Sequence, residues 1–268
     1  MFGNKLALVL FFLPFALIYG QKEGVSAIVE YTYFDDSFTT LEKLLVDNSK
    51  AVYVRQPNNA SNVVGEITKK DDAYTLPTVN YMTGKHMYFS SSKDNNILIS
   101  TMSVNKQPYI VKDSTVVFEW IIDNDSKKTI NNFECIKATT RFRGRDYIAY
   151  FTTQMPLSFG PYKFKGLPGL ILEISNQEKD NLHRWVAVKI ETIDKTKQDI
   201  NIPNLDLIKS PRINMFEFQN INKAIRAENM KAEQARLPAG VSMTSTITNL
   251  SIELVYEWET PENDKKKN

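Results

Sequence analysis

The chain has 268 residues, enough for one large domain or two small ones. Its 42% hydrophobic and 11% aromatic content excludes wholesale disorder, and a formal net charge of +2 excludes a dedicated nucleic-acid binder, which would carry a basic excess.

Met1 to Gly20 has the layout of a secretory signal peptide: Lys5 supplies a positive start, Leu6 to Ile18 an apolar middle, and Tyr19-Gly20 a small residue before a cut at Gln21. The apolar run is too short for a membrane span, and no later stretch approaches the required length. The expectation is therefore an exported chain, periplasmic or secreted. Residues 1–20 would be removed, a single β-rich domain would occupy 21–260, and 261–268 would form a charged, disordered tail.

Ser26 to Phe34 is rich in β-branched and aromatic residues and reads as the first strand. Thr40 to Asp47 has an apolar spacing that also suits a short helix, whereas Ala51 to Arg55 reads clearly as strand. From Lys69 to Ile110, turn residues such as Asp71-Asp72, Gly84-Lys85 and Lys93 to Asn96 separate short strand candidates, the pattern of an antiparallel meander. Thr115 to Ile122 reads as a strand ended by a turn at Asp123-Asn124-Asp125-Ser126. Phe133 to Arg141 and Tyr147 to Thr153 flank Arg143-Gly144 as a hairpin. Arg141, Arg143 and Arg145 cluster at its tip and read as a solvated, charge-protected turn, with an anion contact as the alternative.

The most constrained stretch follows, Gly160 to Ile174. Gly160-Pro161 sets an extended or turn entry. Leu167-Pro168-Gly169-Leu170 reads as a type II turn, with Pro168 fixing φ at the first central position and Gly169 taking positive φ at the second. Gly160, Pro161, Gly166, Pro168 and Gly169 are thus structural, and Leu170 to Ile174 forms a strand behind them. Trp185 to Ile190 continues the sheet. Asn214 to Arg236 is the one convincing helix, capped by Asn214 or Ser210, with Phe216, Ile221, Ile225 and Met230 at helical spacing. Leu250 to Trp258 alternates as a final half-buried strand. The fold expected is α+β: a curved antiparallel sheet or half-open barrel with a covering helix, or alternatively a β-sandwich.

Gly166-Leu167-Pro168-Gly169-Leu170-Ile171 is similar to the motif that names the GLPGLI family, widespread in Bacteroidetes. The resemblance extends through Phe118-Glu119-Trp120, Phe133-Glu134-Cys135, Phe142-Arg143-Gly144-Arg145, Tyr147 to Thr152, Pro156-Leu157 and Gly160-Pro161. Tyr150 stands where a tryptophan is common in the family. The resemblance implies an exported protein of uncharacterised activity, with strands and loops at Thr40 to Asp47.

Met82, His86, Met87 and Met102 bring soft ligands together in sequence, but their spacing fits no closed metal motif. Cys135 is the sole cysteine, so no intramolecular disulfide forms, and it reads as buried and structural. No nucleophile elbow or paired-histidine helix occurs, and His183 sits in a polar turn read as exposed. No catalytic residue, metal ligand or cofactor is assigned. The function expected is a non-enzymatic binding or accessory role in the cell envelope, with no nucleic acid bound. Its contact region would be the stretch 160–174, through Tyr162, Phe164, Lys165 and Leu167. The alternatives are a carrier holding an apolar ligand or lipid in the sheet interior, lined or filled by Tyr147, Phe151, Phe159, Tyr162, Phe164 and Trp185, and a hydrolase with a carboxylate site.

Overall fold

The computed structural model describes residues 26–35, 39–55, 98–114, 117–178, 182–193, 209–236 and 252–259, together with strand backbones at 63–64, 68–70, 73–75, 78–79 and 86–91. The expected signal peptide and C-terminal tail lie outside the described residues.

Sixteen strands and one helix occur among the described residues, in the order β1 (Ser26–Phe34), β2 (Thr39–Asp47), β3 (Lys50–Arg55), β4 (Val63–Val64), β5 (Thr68–Lys70), β6 (Ala73–Thr75), β7 (Thr78–Val79), β8 (His86–Ser91), β9 (Leu98–Val104) and β10 (Gln107–Asp113). There follow β11 (Ile121–Ile130), β12 (Phe133–Phe142), β13 (Arg145–Thr152), β14 (Leu170–Asn176), β15 (Arg184–Ile193), β16 (Arg212–Asn214) and α1 (Met215–Gln234). Twelve strands make one sheet in the order β11-β12-β13-β14-β15-β1-β2-β3-β8-β9-β10-β16. Its neighbours are antiparallel except the short β10–β16 pair. β4–β7 and β5–β6 form separate two-stranded pairs. This is the α+β architecture read from the sequence, built on one large sheet rather than a sandwich of two.

The hairpin turns are set by local backbone chemistry. Asn105-Lys106, Asn131-Asn132 and Arg143-Gly144 each join two strands with positive φ at both residues. That is the two-residue turn whose twist matches the strands it connects. Thr39–Asp47 is strand throughout: Thr40, Glu42, Leu44 and Val46 alternate onto the buried face, and pairing with β1 and β3 overrides the helix-like spacing.

The sheet does not close through its strands; β11 and β16 remain its two edges. It nevertheless curls back on itself. Asp113 at the end of β10 reaches Arg143 in the β12–β13 turn, from almost the whole width of the sheet away. The main core lies on the inner face, where Tyr31, Tyr33, Tyr53, Tyr147, Phe151 and Trp185 are fully buried. A smaller core joins α1 to β9 and β10 through Met215, Phe218, Val104, Val111 and Tyr256.

Three sequence expectations need correction. Asp123-Asn124-Asp125-Ser126 does not end a strand but forms an irregularity inside β11. There the Asp123 carboxylate accepts the Asp125 and Ser126 N–H groups and locally replaces the ladder. Residues 252–259 form no strand. The Leu254 and Val255 N–H groups both donate to the Arg143 carbonyl, which bends the segment across the hairpin turn instead of along an edge. Finally, α1 is capped by Asn214 in a reciprocal capping box with Glu217, but its buried residues are Met215 and Phe218. Of the residues read at helical spacing, Ile221 and Ile225 pack partly buried against the smaller core, whereas Phe216 and Met230 are exposed.

Candidate functional site

The segment from Met155 to Gly169 lies over the inner face as a plug. Its backbone bonds are local and internal: Gly166 N donates to Ser158 O at 3.0 Å, Phe164 N to Pro161 O at 3.1 Å, and Ile171 N to Phe159 O at 3.1 Å. Leu170 N donates to Met155 O at 3.0 Å, which overturns the type II turn expected at 167–170. Positive φ falls on Tyr162 and Gly166 rather than Gly169. Gly169 is required for a different reason. A Cβ there would stand 2.1 Å from the Thr152 carbonyl oxygen, so the motif's last glycine lets two backbones touch.

Tyr162, at φ 56°, is a bulky residue in the left-handed region. The turn it makes sends three consecutive side chains inward, so that Tyr162, Lys163 and Phe164 are all buried. This corrects the expectation of an outward aromatic surface: Tyr162, Phe164 and Leu167 are 8%, 1% and 0% exposed. Tyr162 stacks on Trp185 with ring centroids 6.0 Å apart, and Phe164 meets Tyr147 edge-on at 4.8 Å. With the buried Phe151 and Phe159, these rings fill the inner face beneath the plug. Only Lys165, Gly166 and Pro168 turn outward from residues 160–169, Lys165 being half-buried. Burial lowers the Lys165 pKa, and Trp120 Nε1 donates to its carbonyl at 2.8 Å.

Lys163 enters a buried ion cluster. Arg143 donates from both terminal nitrogens to Asp113 at 2.8 Å and from Nη1 to Glu253 at 3.0 Å. Lys163 Nζ reaches Glu253 at 2.6 Å and Asp113 at 3.1 Å. The half-exposed Glu257 accepts from Arg143 Nε, and the Tyr256 hydroxyl donates to Glu253 at 3.0 Å. Burial alone would raise the Asp113 carboxyl, but Lys163 and Arg143 more than offset it and hold it well below the usual carboxylate range. Glu253 is lowered through the same balance. Four sequence-remote segments thus meet in one clasp that bridges the gap in the sheet. The solvated-turn reading of the arginines holds only for Arg141, which is exposed and paired with Asp146. Arg143 lies in the clasp, and Arg145 is buried against Glu178.

A second cluster lies on β1, β2, β3 and β15. Glu42 accepts from Arg55 Nε at 3.0 Å, Trp185 Nε1 at 3.1 Å, the Thr40 hydroxyl at 3.3 Å and the Tyr53 hydroxyl. Burial pushes its carboxyl up to about 7, against the opposing pull of Arg55. Arg55 also lies over the Tyr33 ring, 4.5 Å from its centroid, and Tyr33 Oη is 2.7 Å from His183 Nδ1. His183 is buried rather than exposed: its N–H donates to Asn176 Oδ1 at 2.7 Å, and its ring sits 6.5 Å from that of Trp185. This cluster can take up or release a proton near neutrality beneath the aromatic plug.

Cys135 is buried, and burial pushes its thiol up to about 11, so it is held as the neutral thiol. Among the described residues, no group of three or more His, Cys, Asp or Glu is placed to hold a metal ion, and no helix is long and apolar enough to cross a membrane. Met82 and the side chains of His86 and Met87 lie outside the described residues. Sequence reasoning missed Glu42, Arg55, Asp113 and Glu253. The available signal was charge at inward positions of strand-like runs, as at Glu42 among Leu44 and Val46.

Residues 144–173 match a family described as "Protein of unknown function (Porph_ging)". That span runs from the Arg143-Gly144 turn through the plug into β14. No curated protein matches the chain. Two solved structures of PNGF-II, in the P21 and C2 space groups, are each 11% identical over 74% of this chain, with TM-scores of 0.49 and 0.47. The chain spans about a third of their length, 33% in both.

Proposed function

We propose that this chain is a non-enzymatic binding or accessory protein of the bacterial cell envelope, with the outer rim of the Gly/Pro stretch as its contact region. The resemblance to the exported GLPGLI family and the signal-like run at Leu6 to Ile18 support the location. One observation carries the role: Tyr162, Lys163 and Phe164 anchor the stretch from beneath. Lys165, Gly166 and Pro168 are therefore presented on a segment with little conformational freedom left to lose, which lowers the ordering cost of a contact. The buried acids that meet Lys163 of the stretch, Asp113 and Glu253, are paired with it and with Arg143 and hold it in place.

The test combines Lys165→Glu with Pro168→Ser, both on the rim, in the native host. Cross-linked partners are quantified by mass spectrometry beside a urea melt of the purified variant. The expected outcome is an unchanged melt with loss of a protein that cross-links to the wild type. An unchanged set of cross-linked proteins overturns the contact region. Intact mass from the same preparation is expected to start at Gln21, and a native species that keeps residues 1–20 overturns export.

A further inference from the structure

Beside the rim, residues 117–123 form an edge whose outer side no described residue pairs. Phe118 and Trp120 turn inward: the Phe118 ring lies 4.6 Å from that of Phe142 and 5.3 Å from that of Phe164, and Trp120 bonds the Lys165 carbonyl. Val117, Glu119 and Ile121 turn outward, with Val117 54% and Ile121 73% exposed. This is the alternation of a strand. Yet among the described residues none makes a backbone hydrogen bond to residues 117–120. The run continues directly into β11, whose outer side is an edge of the twelve-stranded sheet.

The edge is also bounded. Beyond Asp123 the backbone N–H groups of Asp125 and Ser126 are occupied by the Asp123 carboxylate, and the Ser126 hydroxyl bonds the same group at 2.6 Å. Such an irregularity blunts an edge against further pairing. Only the run before it is left open, and there an exposed apolar row stands where edges usually carry charge or proline. Glu119, Asp123 and Asp125 are the only charged residues between positions 117 and 126, and all three are acidic.

We propose that residues 117–123 accept an added strand from a partner protein, an extended segment that carries apolar residues and Lys or Arg in turn at every second position, so that both lie on the face of Val117, Glu119, Ile121 and Asp123. Main-chain bonds to the open backbone supply affinity. The apolar positions cover Val117 and Ile121, and the basic positions answer Glu119 and Asp123. The proposal rests on the binding role above and names the chemistry of the partner.

Purified mature protein is titrated with a fluorescent peptide of about ten residues, Val-Thr-Lys-Thr-Val-Thr-Lys-Thr-Val-Thr, which sets Val and Lys in turn along one face, and with its counterpart carrying Glu in place of Lys. Binding is read by anisotropy, and hydrogen exchange locates the contact. The Lys peptide is expected to bind about tenfold or more tightly than the Glu peptide, with exchange slowed over residues 117–123. Ile121→Asp, at a solvent-facing position, is expected to lose that binding with an unchanged melt. Glu119→Lys is expected to shift preference toward the Glu peptide. Equal binding of the two peptides, or protection elsewhere, overturns the proposal. Self-association through this edge in sedimentation also overturns it, since the occupant is then a second copy. These measurements use no envelope extract. A peptide failure beside a rim-dependent cross-link therefore removes the added strand and leaves the proposed function standing.

Discussion

The Asp113–Glu253 clasp and the Glu42 cluster bury the same kind of group and reach opposite protonation balances. In the clasp, each carboxylate touches both Arg143 and Lys163; Asp113 is held well below the usual range and Glu253 is lowered. Among the described residues Glu42 touches one cation, Arg55, bonded through Nε, and three neutral donors; burial wins, with the Asp35 charge pushing the same way, and its carboxyl rises to about 7. A buried acid is therefore kept charged by the number of cations converging on it. Hydrogen bonds alone do not offset its desolvation. The clasp acts as a permanent fastening, and the Glu42 cluster as a titrating one.

The strongest way to break this contrast is Arg143→Ala. It takes the Arg143 charge away from the buried Asp113 and Glu253, and removal of one partner from a buried network costs about 3–5 kcal/mol. Urea melts at neutral pH are expected to show that loss. A midpoint equal to wild type would mean that the cluster is solvated and the contrast false.

The dependence on pH sharpens it further. Glu42 has a folded value near 7 against an ordinary 4.5. Between those values the folded chain holds a proton that the unfolded chain releases. Stability therefore falls as pH rises across that window, by up to about 3 kcal/mol, and is flat above it. The clasp has the reverse sign. Its lowered carboxylates contribute stability above their unfolded values, which is lost as pH falls through the folded ones, in strong acid. Glu42→Gln is expected to remove the neutral limb of the stability profile and Arg143→Ala to flatten the acid limb. A Glu42→Gln profile that keeps its neutral slope assigns that slope to another group.

The smallest effect concerns the stretch that lies between the two clusters. Gly169→Ala drives a methyl group into the Thr152 carbonyl and should cost about 1–3 kcal/mol. Both limbs of the pH profile should keep their positions, because neither cluster loses a partner. A variant as stable as wild type would show that the two backbones can separate freely.

Much of this architecture is legible in local pattern. Alternation at Ser26 to Phe34 marks β1, Arg143-Gly144 marks a two-residue turn, and Asn214 with Glu217 marks the start of α1. What fails is anything decided across the sheet. Arg143 looks like a solvated turn residue until Asp113 and Glu253 arrive from 30 and 110 positions away. Asp123 to Ser126 has turn chemistry, and it forms a local knot of hydrogen bonds, but pairing with β12 resumes at Lys127. Leu250 to Trp258 alternates like a strand, yet the Arg143 carbonyl captures its N–H groups. Tyr162 and Phe164 read equally as a contact surface or as interior, because Gly and Pro around them suit a presenting loop and a sheet corner alike. The positive φ of Tyr162, which no propensity favours, sends them inward.

The position of β1 sets the order in which the molecule can assemble. β1 is the first strand described, but it lies inside the sheet between β2 and β15, with Ser26 opposite Ile193. The clasp adds a later requirement, since Glu253 and Glu257 follow every described strand in sequence. β1 meets β15 only after the intervening strands have folded back, and Arg143 meets Glu253 across 110 positions. Closure of such long loops slows folding. Refolding is thus paced by encounters between distant segments and not by the hairpins, with the Glu253 segment acting as the latch on strands that pair before it.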